Sequence, residues 1–125
     1  MSTPRLDAAN ELLELLRAAL VDLPDVHVTI NPAEVVSAAR NGCVLIQPPE
    51  LSFPTWDQVE AAWELLVIAG SMTNYVHAWT VMDGILAALS DAQTLNLDTA
   101  ELASFQPSGT AQAQVIPAYK ITLNP

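Results

Sequence analysis

The hydrophobic residues of this chain change period several times, and the order of those periods constrains the fold more than any single motif does. Leu6, Ala9, Leu13, Leu16 and Leu20 recur at helical spacing, with Glu11 and Glu14 off the stripe. This pattern predicts an amphipathic helix over 6–20, stopped by Pro24. Val26, Val28 and Ile30 then alternate with His27 and Thr29, the period-2 signature of a half-buried strand. Asn31-Pro32-Ala33-Glu34 has an N-cap, a proline at N1 and a glutamate at N3, and so opens a short helix ending before Asn41-Gly42.

A second strand is expected at Cys43-Val44-Leu45-Ile46, ended by Gln47-Pro48-Pro49. The segment 50–56 continues as extended chain. Its Pro54 fixes φ and removes a donor, so it reads as an edge or a loop. Residues 57–70 carry two signals. Thr55-x-x-Gln58 resembles a capping box, and Ala61, Ala62, Glu64, Leu65 and Leu66 favour helix. Against this, Leu65-Leu66-Val67-Ile68 suits a strand covered on both faces. We read one long strand, with Val59, Ala61, Trp63, Leu65, Val67 and Ala69 on one face and Glu60 and Glu64 on the other with Leu66 and Ile68.

A second amphipathic helix follows, with Tyr75, Ala78, Trp79, Met82, Ile85, Leu86 and Leu89 in its stripe and Gly84 across from it. The C-terminal part reads as a hairpin. Residues 99–106 and 112–123 form its arms, Pro107-Ser108-Gly109-Thr110 its turn, and Pro117 marks a bulge or an edge. Tyr119, Ile121 and Leu123 share a face. The expected fold is a single α+β domain over 1–125, a mostly antiparallel sheet with two main amphipathic helices packed on it.

Charge narrows the function. Fourteen acidic side chains face four basic ones, Arg5, Arg17, Arg40 and Lys120, for a net charge of −10. Binding to a phosphate backbone scales with Lys/Arg contacts, so a nucleic-acid grip is excluded, and anionic lipid is disfavoured for the same reason. Only 14% of residues are charged against roughly 25% in an average globular protein, so much of the surface is uncharged and available for interfaces. Asp7, Glu11, Glu14, Arg17 and Asp22 interrupt any apolar leader, and the apolar run 65–70 is too short to span a bilayer. The expected setting is a cytoplasm-like compartment.

Motifs for chemistry are sparse. His27 and His77 lack partners at metal-binding spacing and read as solvent-facing. The lone Cys43 is flanked by Gly42 and Val44, with Arg40 the nearest cation, and reads as a buried structural thiol. With four glycines there is no phosphate cradle, and no serine sits in a nucleophile elbow. Neither a catalytic residue, a cofactor nor a metal is expected. Phe53 and Trp56 stand beside prolines in an extended segment, a setting typical of interface anchors, although the segment folding back on its own sheet is an equal reading.

The layout resembles the tail terminator proteins of long, non-contractile-tailed bacteriophages. The resembling parts are the leading helix, the strand 26–30, Cys43-Val44-Leu45-Ile46-Gln47-Pro48-Pro49 with Leu51-Ser52-Phe53, Trp63-Glu64-Leu65-Leu66-Val67-Ile68-Ala69-Gly70, the Ala78-Trp79-x-x-Met82-Asp83 helix, and Ile116-Pro117-Ala118-Tyr119-Lys120-Ile121-Thr122-Leu123. The resemblance implies a structural virion protein, assembled in the host cytoplasm, that forms a homo-oligomeric ring, usually a hexamer. The ring would cap the tail tube protein, end tube growth and join the head–tail connector while DNA passes through. Six copies would carry about −60 formal charges, and an acidic bore repels phosphates. Under this reading Pro48, Pro49, Leu51, Phe53 and Trp56 are candidate interface residues, and Glu60 and Glu64 are candidate lumen or sheet-surface charges. Three alternatives remain open: another neck or tail component, such as a head–tail stopper or tube subunit; a small cytosolic protein-binding module; and an enzyme with an unrecognised site, whose best residues would be Cys43 and His77, although nothing in the sequence brings them together.

Overall fold

In the computed structural model, residues 4–55, 58–70, 75–92, 97–105 and 116–123 are described. Helix α1 spans Pro4–Ala19, strand β1 His27–Thr29, helix α2 Val35–Ala38 after a 3-10 turn at Pro32–Glu34, and β2 Cys43–Ile46. Strands β3 (Glu50–Thr55), β4 (Gln58–Ala62) and β5 (Glu64–Ile68) follow, then helix α3 (Tyr75–Asp91) and strands β6 (Leu97–Phe105) and β7 (Ile116–Leu123). Five strands form one sheet in the order β1-β2-β5-β7-β6, and β3 and β4 form a separate two-stranded ribbon. The fold is α+β and the main sheet is mostly antiparallel. The exception is β1, which runs parallel to β2 after a crossover through α2.

The two faces of the sheet carry separate cores. On one, α1 and α3 bury Leu12, Leu16, Leu20, Met82, Ile85 and Leu89 against Val28, Val44, Leu65, Val67 and Ile121. On the other, α2 covers part of the sheet with Val35 and Ala39 over Cys43, Leu45, Leu66 and Ile68. A fully buried aliphatic side chain contributes about 1.5–3 kcal/mol, so the larger α1/α3 core dominates stability. The alternation predicted from Trp63 onward holds: Trp63, Leu65, Val67 and Ala69 face α1 and α3, while Leu66 and Ile68 face α2.

Several expectations are corrected. The single long strand is two strands in two sheets, broken at Trp63. Its main-sheet partners run out there. The β2–β5 ladder ends at Ile46↔Leu65 with one further bond from Gln47 N to Glu64 O, and Pro48-Pro49 has no N–H to continue it. On the other side, Leu123 N bonds Trp63 O as the last link to β7. Residues 58–62 pair instead with β3, so Glu60 and Glu64 belong to different sheets and do not share one face of one strand. Strand β3 takes up Pro54 at a register shift between Ser52 and Thr55, where the ladder needs no proline donor.

Pro117 is neither at an edge nor at a bulge. It is buried in β7, between β5 and β6, and tolerated because the β5 ladder stops at Ile68↔Ala118 while its carbonyl still accepts from Ala69 N. In α1 the buried line is Ala9, Leu12 and Leu16, continued by Leu20 just past the helix; Leu13 is half-buried and Leu6 is exposed. Trp79 is 50% exposed, stacked edge-to-face on Tyr75, because the inner face of α3 is already filled by Ala78, Met82, Ile85 and Leu89. Thr29 is buried, not outward and polar, since β1 is covered on both sides; its Oγ1 accepts from Asn31 N at 3.0 Å. Ile30 lies beyond the strand and is partly exposed. Trp56, the connection at 71–74 and the turn at 107–110 lie outside the described residues.

Candidate functional site

The fold holds Cys43 and His77 apart but sets His27 beside Cys43, the two being register partners on β1 and β2. Cys43 is fully buried on the α2 side of the sheet, and desolvation, with the Glu34 charge second, pushes its thiol up to about 12. A thiolate is the reactive form, so Cys43 is inert near neutral pH. His77 is exposed on α3, on the opposite side of the sheet, in a shallow groove with Asp22, Arg40, Asn41 and Thr80. The sheet therefore separates the thiol from that imidazole. Among the described residues no cluster of three or more His, Cys, Asp or Glu is placed to hold a metal ion.

His27 is the histidine with a partner. Its Nε2 stands 2.6 Å from Glu34 Oε1. Asn31 caps the 3-10 turn through Oδ1 to Ala33 N, as the motif predicted, but the N3 glutamate turns to His27 where a capping box would send it to the cap. The parallel register and the crossover create this pair, and neither is visible in local periodicity.

The predicted interface residues divide between two surfaces. Pro48 and Pro49 line an apolar groove of about 320 Å³ with Arg5, Leu6, Ala9, Ile30, Ile46 and Trp63. Leu51 and Phe53 lie on the β3–β4 ribbon, and Phe53 is 68% exposed. Segment 47–56 thus does not fold back to bury Phe53.

The charges are placed unequally. Glu64 bonds Lys120 Nζ at 3.4 Å, and Lys120 also stands opposite Glu101 of β6 in register. The chain's one lysine is thus flanked by two carboxylates on the α2 side of the sheet, an arrangement that cross-strand pairing favours. Glu60 lies on the ribbon. Sequence reasoning missed Glu101 and Lys120 because their neighbours come from strands distant in the chain.

Strand β6 forms one edge of the main sheet. It contains no Lys and no Pro, and Leu102 on it is 65% exposed. It does carry Asp98, Glu101 and a register irregularity between Leu97 and Thr99, which restrain pairing, but a nine-residue edge still presents backbone groups to which another chain could pair. No helix among the described residues is long and apolar enough to cross a membrane. No protein-family model matches this chain, and no curated protein matches it.

Proposed function

We propose that this chain is the repeating subunit of a ring, and that the ring is the tail terminator of a long-tailed phage, closing the tail tube and meeting the head connector while DNA passes through. The observation that carries the reading is the β3–β4 ribbon, a two-stranded element outside the main sheet with Phe53 largely exposed. An isolated two-stranded ribbon is marginal in water, so such an element gains its stability from a partner. The β6 edge, which has no outer neighbour among the described residues, would supply a second surface of different shape, as a closed ring of heterologous contacts requires.

The acidic balance supports the same reading. With four cations against fourteen acids, a bore lined by this protein repels DNA phosphates. Glu64 and Glu101 would contribute less to that field, because both stand beside Lys120. Cys43 lies beside His27 in the strand register, but it is buried and its thiol is pushed up to about 12, which disfavours a thiolate nucleophile there.

Negative-stain imaging of the protein, alone and with isolated tail tubes, tests the proposal. Rings that seat on tube ends are the expected result, and tails assembled without the protein should be overlong. Tails of normal length left unattached to heads would assign it to the connector instead. A protein that forms no ring and ignores tubes would be a small binding module.

A further inference from the structure

The apolar groove beside Pro48 and Pro49 is the open end of the α1/α3 core. Its floor is Ala9, Ile46 and Trp63, residues of that core or packed on it, while Leu6 at 40% and Ile30 at 36% exposure form its outer walls. No side chain of the described residues closes it over. Phe53 has the complementary problem, a large apolar side chain at a strand irregularity with most of its surface in water. Aromatic side chains seated in preformed pockets are the commonest anchors of protein interfaces.

We propose that this groove is the socket for Phe53 of a neighbouring copy of the chain. The inference rests on the ring reading and names the contact that closes the ring. Phe53 does not fill its own groove: β3 carries it away from Pro49 in the groove wall by roughly 13 Å of extended chain. Knob and socket therefore lie at different places on one subunit, and joining them between copies is a head-to-tail contact that propagates until it closes.

Charge fits the same pairing. Strands β3 and β4 carry Glu50 and Glu60 in sequence and no cation, whereas Arg5, one of four cations, lines the groove and makes no ion pair with another described residue. In a chain of net charge −10, copies repel one another overall, so an acidic arm meeting Arg5 selects this contact over others.

Engineered cysteines test the contact, since Cys43 is buried and stays silent. One chain carries Phe53→Cys and a second carries Ile30→Cys, and the two are mixed at millimolar concentration under mild oxidation. The expected result is a mixed cross-linked dimer, little cross-linking of either variant alone, and a ladder up to a closed ring when one chain carries both changes. Phe53→Ala should weaken self-association at least tenfold, and Phe53→Trp should restore it, with circular dichroism confirming that each variant is folded. Dominant cross-linking of Phe53→Cys to itself would overturn the socket in favour of a two-fold contact. Rings without the mixed cross-link would overturn the socket and leave the ring standing. Neither rings nor cross-links at that concentration would overturn both.

Discussion

His27 Nε2 lies 2.6 Å from Glu34 Oε1, tying the edge strand β1 to the turn that starts α2. An ionised carboxylate only accepts, so the ring nitrogen donates. This bond, above all, holds the Glu34 carboxyl below its ordinary value of 4.5. A carboxyl whose folded value is lowered adds stability above its unfolded value and loses it as pH falls through the folded one. Urea midpoints measured against pH should therefore show wild type above Glu34→Gln at pH 6, with the gap closing as pH falls through and below 4.5. A gap that stays constant down to the lowest pH would show that the carboxylate charge is not responsible.

Cys43 should resist thiol reagents in the native protein. With its thiol pushed up to about 12, the thiolate fraction at pH 8 is about one part in ten thousand, and the group is fully buried. Alkylation at pH 8 should therefore follow global opening, accelerating steeply only near the urea midpoint. Rapid labelling in native buffer would contradict the burial.

Two glycines should respond oppositely to alanine. At Gly84, on the outer face of α3, an added Cβ meets nothing within 4 Å. Gly84→Ala should stabilise the protein by about 1 kcal/mol from helix propensity alone. Gly70 has φ 69°, and a Cβ there would lie 2.8 Å from Ala78 Cβ. Gly70→Ala should cost about 1–3 kcal/mol. Chemical denaturation of both variants checks the pair, and equal signs would be inconsistent with the backbone described.

Helix α3 should show a contrast between its faces. Met82 is fully buried, so Met82→Ala should cost about 2–5 kcal/mol. Trp79 is half exposed, so Trp79→Ala should cost about 1 kcal/mol despite the larger side chain. If Trp79 binds a partner, its loss would appear in assembly and not in monomer unfolding. Fluorescence-detected unfolding and sizing of the same variants separate these effects.

Hydrophobic period was enough to place α1 and α3, because each buries one face and so writes its spacing locally, while the capping motif at Asn31 marked the short helical region and a continuous apolar run marked β2, which is buried on both faces. The period also set which residues of β5 face which core. The candidate interface was legible in part: prolines beside an exposed aromatic marked the 47–56 segment, but not its division into a groove wall and a ribbon.

Where the chain changes sheets at Trp63 was decided by partners. Glu60 and Glu64 look like neighbours on one strand until the ladder with β2 stops at Pro48 and a different ladder, with β3, begins. Tertiary packing likewise decided that Trp79 faces water, since four smaller side chains already fill the inner face of its helix. Pairings such as His27 with Glu34 and Glu64 with Lys120 depend on strand order and register. Local periodicity records what each element buries, while strand order depends on contacts between residues far apart in the chain, and those exist only once the whole sheet has formed.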